Sequence, residues 1–383
     1  MDATKKIVAE VFNEIAEGIK SGSFGKKIRI GLTTFGSEHG VEEMLKAAQM
    51  AKDKYGDFDI VLIGPKVEGD FEVVEVKDAE EGHNKMVELL ENKYIDGCVT
   101  QHFDFPIGVS TVGRIVTPSK GKELIIATTT GTTSTNRIEG MIKNTISGIA
   151  VAKAVGIKNP TVGILNIDGA RGVERALKEL KAKGYDFSFE NSLRADGGAV
   201  MRGNDILAGT PDVMVCDSLT GNLLIKIFAS FTTGGDYETV GYGYGPGIGE
   251  DYDKLVNIVS RASGAPLICE ALRYCALCAK NSVLEKAKIE FQNAKKAGLD
   301  DILGKLLDKE KPSIEEEIKI PPKKVVTVSI PGIDILELEN ACRALWKEGI
   351  YSESGMGCTG PIILVPDGEG EKSIEILVKA GYK

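Results

Sequence analysis

No run of about 18 consecutive apolar residues occurs in the sequence, which excludes an ordinary membrane-spanning helix. The opening stretch MDATKKIVAEVF lacks the apolar core and cleavage site of a secretory signal, so a cytoplasmic location and no membrane partner are expected. Cationic excess is missing too. The net charge of −9 argues against nucleic acid as the main ligand, because phosphate backbones need a basic face, although a small local anion site stays open. The nucleotide fingerprints are absent. GxGxxG fails in Gly241–Gly249 because position 246 is proline, and Gly108–Gly113 has the P-loop spacing but continues with Arg114 and Ile115 instead of Lys and Ser/Thr. The seven cysteines, an odd number, fit reduced thiols and not a disulfide framework. Cys275 and Cys278 form a CxxC with no second copy. Cys269 adds a third sulfur and nothing offers a fourth, so thiols packed in a buried helix are the simpler reading and no metal is expected.

What is present is alternation. Apolar strands such as Lys27–Leu32, Asp59–Gly64, Thr161–Asn166 and Asp212–Asp217 are separated by amphipathic helices at 40–54, 79–93, 137–156, 170–183 and 220–231. That pattern predicts an α/β fold with a mostly parallel sheet covered on both faces. A further helix is expected over 252–262, a strand over 265–269 and a long helix over 270–297. Residues 1–27 carry Ile7, Val8, Val11, Phe12, Ile15 and Ile19 at helical spacing, an amphipathic helix that docks on the body or on a partner. The body divides into a first α/β lobe (28–150 with 260–297) and a second (151–259). A Lys/Glu-rich linker with three prolines follows (298–322), then a small βαββα unit (323–383).

The small unit contains the most unusual stretch, Tyr351-Ser-Glu-Ser-Gly-Met-Gly-Cys-Thr-Gly-Pro-Ile-Ile-Leu-Val365. Glycines bracket Cys358, and amides at Gly357 and Thr359 in such a turn can stabilise a thiolate or the oxyanion of an attacked thioester. No histidine lies nearby as a base, and a tight turn around a half-buried Cys is the alternative. No Lys or Arg lies between Lys347 and Lys372, so a lowered thiol pKa would need backbone amides or cations brought by the fold. Strand-to-helix turns supply the other candidates. Thr128–Asn136 holds seven hydroxyls, with Thr130, Gly131, Thr132, Ser134 and Asn136 forming either an anion cradle at a helix start or a hydroxyl-rich cap. Asp217–Asn222 contributes Thr220, Gly221 and Asn222, and Arg171 adds a cation near another helix start. These turns would converge on one crevice at the strand ends. Cys98, with His102 four residues on, is a second candidate thiol or a core residue.

The stretches Val162–Ile167, Asn204–Gly209 and above all Asp212-Val-Met-Val-Cys-Asp-Ser-Leu-Thr-Gly-Asn-Leu-Leu-Ile-Lys226 resemble the acyl-carrier-protein:phosphate acyltransferases and, more distantly, the phosphate acetyltransferases. The resemblance implies an α/β/α sandwich of isocitrate/isopropylmalate-dehydrogenase-like type in two lobes, and exchange of an acyl group between a thiol and phosphate. The Ser-Arg-Gly of phosphate acetyltransferases has no match; Gly245–Gly249 stands about there. The extra tail, together with Cys98 and Cys358, resembles across the whole chain the component C α subunits of glycine/sarcosine/betaine reductase complexes. That family implies an acetyl thioester on Cys358, cleaved by phosphate to acetyl phosphate. It also implies a ketoacyl-synthase-like β subunit and a carrier selenoprotein as partners in an oligomeric assembly. Phosphate is expected as co-substrate, with no cofactor; the alternatives are a stand-alone phosphate acyltransferase with Cys358 structural, and a scaffold subunit that keeps the fold without the chemistry, which the missing Ser-Arg-Gly would suit.

Overall fold

The short apolar runs behave as their composition requires. Ile28–Thr33 (β1) and Phe58–Gly64 (β2) pair in parallel, and both are buried along most of their length. The computed structural model describes residues 8, 11–13, 15, 16, 19, 27–195, 197–310, 318–334, 337–357 and 360–383. Between β1 and β2 lies helix Val41–Lys54 (α1). Glu72–Glu75 (β3), Ala79–Glu91 (α2) and Gly97–Thr100 (β4) complete the first series. A hairpin of Val109–Val116 (β5) and Glu123–Thr132 (β6) follows, then Arg137–Ala154 (α3). The second series is Thr161–Leu165 (β7), Ala170–Ala182 (α4), Ser188–Phe189 (β8), Val200–Met201 (β9), Gly203–Ala208 (α5), Val213–Val215 (β10) and Ser218–Ser230 (α6). Gly245–Ile248 (β11), Val256–Ile258 (β12), Ala265–Lys280 (α7), Val283–Lys296 (α8) and Leu299–Glu310 (α9) close the body.

All twelve strands form one sheet in the order β3-β2-β1-β4-β12-β11-β5-β6-β10-β7-β8, with β9 on β7. β2, β1, β4 and β12 are parallel, as are β6, β10 and β7. Between the two groups come three antiparallel pairings, β12–β11, β11–β5 and β5–β6. The two parallel halves therefore run in opposite directions. One face is covered by α1, α3 and α7 through Met44, Ala47, Ile146, Ile149 and Leu267, with α8 packed against α3. The other is covered by α2 and α6 through Met86, Leu89, Ile225 and Phe228. This is a mixed α/β fold around a large sheet covered on both faces.

Several expectations are corrected. The helix expected over 252–262 is replaced by β12, because Leu255, Val256, Ile258 and Val259 are all apolar and the whole stretch, Asn257 included, is buried on both faces. The strand expected at 265–269 is the start of α7. The long helix over 270–297 is two helices, broken at Ser282, which has φ 51°. The P-loop-like Gly108–Gly113 spacing runs into β5, and the glycine run supplies β11 in mid-sheet. The first part of the expected linker is α9, which buries Leu299, Ile302 and Leu303.

The tail has the expected βαββα order: Val328–Pro331 (β13), Leu338–Lys347 (α10), Glu353–Gly357 (β14), Gly360–Val365 (β15) and Gly370–Lys379 (α11). It has its own sheet, β13-β15-β14, and its own small core around Leu345, Ile363 and Leu377. Arg175 on α4 ties it to the body, bonding Glu337 at 2.6 Å and the carbonyl of Tyr382 at 3.2 Å. At the N-terminus, the helical residues Val8, Val11, Phe12, Ile15 and Ile19 are all exposed.

Candidate active-site cleft

Where the sheet reverses direction, a cleft of ≈ 510 Å³ lies on the α6 face. Its walls come from both halves of the sheet: Gln101–Phe105 leaving β4, Thr130–Thr132 at the end of β6, Asn222 and Lys226 on α6, and Ser260 and Arg261 beyond β12. Gly131 makes the β6 wall possible. Its φ is +82° and an added Cβ would stand 2.6 Å from the carbonyl of Val109, so any side chain there meets backbone. The hydroxyls around it divide by role. Thr129 donates to the carbonyl of Tyr244 at 2.8 Å, and Thr133 bonds Asn144 and Ser110 at 2.6 Å each, so these hold the strands together. Thr130 and Thr132 line the cleft.

Two cations reach this cleft. Arg261 is braced by its Nε donating to the carbonyl of Gly36 at 3.0 Å, and Lys226 sits one turn beyond Asn222 on the same face of α6. Phe103 and Phe105, in edge contact at 5.0 Å, supply an apolar wall. Glu38 and Asp104 line the cleft as well, so Lys226 and Arg261 belong to a polar floor of mixed charge beside an aromatic wall that suits an acyl group.

Past Gly131 and Thr132 a smaller compartment of ≈ 230 Å³ continues to the starts of α3 and α6, lined by Ser134, Arg137, Asp217 and Ser218. Asn136 caps α3 by accepting from the Glu139 amide at 3.0 Å, and the Asn136 amide donates to Ser134 Oγ at 3.1 Å. Asp217 caps α6 by accepting from the Thr220 amide at 2.9 Å and hydroxyl at 3.0 Å. Arg137 stands 3.6 Å from Asp168 and 3.9 Å from Asp217, so its charge is largely answered by protein carboxylates. The larger cleft is the better anion site.

The predicted residues therefore separate. Thr130, Gly131, Thr132 and Asn222 meet in the cleft; Thr132 and Ser134 line the second compartment. Asn136 and Thr220 are spent on helix capping. Arg171 is paired with Glu174 at 2.9 Å and lines neither space. Gly221 is a packing position: an added Cβ would lie 1.7 Å from the carbonyl of Thr128. Cys98 is corrected most firmly. It is fully buried, and burial pushes its thiol well above the ordinary range, so it has neither access nor thiolate character. Burial likewise raises Cys269, to about 11, and Cys278, to about 12. No metal-binding group of three or more His, Cys, Asp or Glu exists among the described residues. Cys358 and Thr359 lie outside the described residues; Gly357 pairs with Gly360 across β14 and β15.

Sequence reasoning missed Lys226, Arg261, Ser260, Tyr244 and the two phenylalanines. Lys226 was within reach, since the i, i+4 spacing from Asn222 places both on one helix face. Arg261 and Ser260 carry no local signal.

Residues 28–364 match the profile of a family described as Fatty acid synthesis protein. The chain is also 57% identical over 382 residues to the glycine/sarcosine/betaine reductase complex component C subunit alpha of Peptoclostridium acidaminophilum, covering 100% of this chain and 99% of that one. The chain belongs to the component C α-subunit family. Phosphate acyltransferases are more distant relatives of this family member: that of Thermotoga petrophila is 28% identical over 236 residues, 52% of this chain and 67% of the relative. That of Acetivibrio thermocellus is 33% identical over 117 residues, 30% and 33% of the two chains. Among solved structures, 4-hydroxythreonine-4-phosphate dehydrogenase from Klebsiella pneumoniae matches at a TM-score of 0.38 and 12% identity, covering 66% of this chain and 98% of that one. A likeness that weak adds nothing to the argument. No helix among the described residues is long and apolar enough to cross a membrane.

Proposed function

We propose that this chain transfers an acetyl group from a thioester to phosphate, releasing acetyl phosphate, as the α subunit of component C in a glycine, sarcosine or betaine reductase complex. The observation that carries the reading is the cleft itself. Thr130, Thr132, Asn222, Lys226 and Arg261 surround one space beside an aromatic wall, in a chain with phosphate acyltransferase relatives. Phosphate is a poor nucleophile toward a thioester in water, and attack adds negative charge to an anion. A site that performs it must hold the phosphate with hydroxyl, amide and cationic donors, oriented toward the carbonyl carbon. Lys226 and Arg261 supply the charge, and the two threonines and Asn222 supply the direction.

In this reading Cys358 carries the acetyl group, and the amides of Gly357 and Thr359 stabilise the tetrahedral oxyanion. A β subunit resembling ketoacyl synthases and a carrier selenoprotein complete the assembly, with the acetyl unit arriving from the latter. The isocitrate-dehydrogenase-like arrangement of the two lobes belongs to the same proposal. A second reading, a stand-alone phosphate acyltransferase in which Cys358 is structural, draws on the acyltransferase relatives of the body.

The experiment uses acetyl phosphate in the reverse direction. Wild-type chain should acquire a hydroxylamine-labile acetyl group on the peptide containing Cys358, and Cys358→Ser should lose both the adduct and acetyl phosphate release while remaining folded by circular dichroism. Inorganic phosphate should bind by calorimetry, whereas NAD and ATP should not. Undiminished acyl transfer in Cys358→Ser would favour the stand-alone enzyme. Tight dinucleotide binding would overturn the acyltransferase assignment.

A further inference from the structure

The walls of the cleft divide by chemistry. Its hydroxyl, amide and cationic groups come from the end of β6, from α6 and from beyond β12. Its aromatic side comes from one short segment, 103–107, on the way from β4 to β5. Asp104, between the two phenylalanines, is almost fully exposed and stands 3.2 Å from His102, so Phe103, Phe105 and Ile107 are what that segment offers an apolar ligand. An acyl phosphate has the same two ends, an anion and a carbon chain. With the anion among Thr130, Asn222, Lys226 and Arg261, the carbon chain falls to the aromatic segment.

Phe105 is the fixed member of that segment. Its ring fills the space over Gly247 of β11: a Cβ added to that glycine would stand 2.3 Å from ring atom Cε1 and 2.7 Å from Cζ, so a side chain at 247 would push the ring out. The ring meets Phe103 edge-on, with centroids 5.0 Å apart, and Tyr252 edge-on at 5.8 Å, both favourable aromatic contacts. The backbone that follows is held as well. The Val109 amide donates to the Pro106 carbonyl at 3.1 Å, and the Gly108 amide donates to the Thr132 carbonyl at 2.9 Å. Beyond the ring lies more space. Tyr252 does not line the cleft; it lines a second cavity of ≈ 310 Å³ with Pro106, Ile107, Gly249 and Phe291. Ile107 lines both, so the two spaces are one chain segment apart, and Phe105 touches a lining residue of each.

We propose that the Phe105 ring is the end wall of the acyl space, closing the cleft toward the second cavity and confining the transferred group to two carbons. The inference rests on the acyl-transfer reading above and names the residue that sets its substrate class. Selection here is steric and adds no chemical step to the transfer. A longer chain extends from the carbonyl carbon into a ring wedged between Phe103, Gly247 and Tyr252, and close-packed surroundings of that kind do not make room without cost. Removing the ring lengthens the apolar side of the cleft in the direction of Tyr252, where a longer chain finds the space it lacked.

The test measures calorimetric binding of inorganic phosphate and of a series of 2-oxoalkylphosphonates to wild-type chain, Phe105→Ala and Phe105→Leu, with Tm as the check on folding. These phosphonates are acyl phosphate analogues in which a methylene replaces the bridging oxygen, so binding is read without turnover. Wild type should bind the acetyl analogue and should bind the hexanoyl analogue at least about tenfold more weakly, since a single methylene in an apolar pocket is worth roughly 10–200-fold. In Phe105→Ala the hexanoyl-to-acetyl affinity ratio should rise about a hundredfold, on the same scale. Phe105→Leu, which keeps an apolar side chain against Gly247, should give an intermediate ratio and carries the test if the alanine variant does not fold. Equal binding of all lengths by wild type would overturn the proposal, as would an unchanged ratio in the folded variants. Loss of every analogue from both variants would mark Phe105 as purely structural and overturn it too. Wild-type chain that binds neither phosphate nor any analogue would instead sink the acyl-transfer reading, and this inference with it.

Discussion

A cysteine is useful to acyl transfer only where solvent, substrate and a source of positive potential can reach its sulfur. Cys98 fails on each count. Its Sγ donates weakly to the Val99 carbonyl at 3.6 Å, and an added Cβ on Gly31 would stand 2.9 Å from it, which measures how tightly it is enclosed. Five other described cysteines share that burial, in the body and in the tail. Cys98→Ala should therefore leave acetylation by acetyl phosphate at the wild-type rate while costing about 1 kcal/mol of stability in denaturant titration, the ordinary price of a small core truncation. A hundredfold loss of acetylation in a folded Cys98→Ala protein would restore it as a functional thiol. Cations obey the opposite logic. Lys226 and Arg261 share their cleft with Glu38 and Asp104 but form no close ion pair among the described residues, whereas Arg171 and Arg137, equally charged, are already answered by Glu174, Asp168 and Asp217.

At the scale of elements, α6 is the piece that couples packing to chemistry. It lies close enough to β6 that Gly221 meets the Thr128 carbonyl, and the residue after it, Asn222, lines the cleft. Backbone cannot yield as a flexible side chain can, so Gly221→Ala must lift the helix off the strand. The expected cost is about 3 kcal/mol, read in urea unfolding, together with weakened phosphate binding because Asn222 and Lys226 move with the helix. Unchanged stability would mean that the close approach is not as described. The same helix shows how much was legible in advance. Asp217 as its cap and the hydroxyl-glycine-amide turn were readable, because capping and helical periodicity are local. So were β1, β2, β7 and the whole tail order, each set by a short apolar run and its punctuation. The convergence of turns was not readable. Arg171 and Asn222 lie near helix starts after parallel strands, yet only Asn222 reaches the cleft, because its helix follows β10, beside β6, while that of Arg171 follows β7, one strand farther out; three antiparallel pairings then reverse the sheet and bring the residues beyond β12 to the same cleft. Such reversals depend on which strands meet, and a strand built from Gly245-Pro-Gly-Ile248 carries none of the usual β signals.

Over the whole molecule, α7 joins late sequence to early sequence. Arg273 grips Asp57, at the entry to β2, with two bonds of 2.6 and 2.7 Å, and Lys280 stands 3.8 Å from the same carboxylate. One turn away, Glu270 receives Lys54 at 2.5 Å and Tyr55 at 2.7 Å from the end of α1. These contacts fasten the helix across the face of the first parallel half, and with it the Ser260–Gly264 segment that leads into the helix and holds Glu238. Asp57 bears the pH signature of the clamp. Burial opposes its charge, but the Arg273 bonds and the charges of Arg273 and Lys280 outweigh that and hold its pKa below the usual carboxylate value. A depressed carboxylate stabilises the fold fully above its unfolded pKa of about 3.9, and the contribution disappears as pH falls through the lower folded value. Arg273→Ala should therefore cost about 2 kcal/mol at pH 7. The gap between variant and wild type should narrow as pH falls below about 4, where wild type loses the same interaction. Urea unfolding at a series of pH values measures this directly. A gap that stayed constant down to acid pH would mean that Arg273 stabilises the protein by packing against Tyr55, whose ring lies 5.1 Å beneath its guanidinium, and not through Asp57.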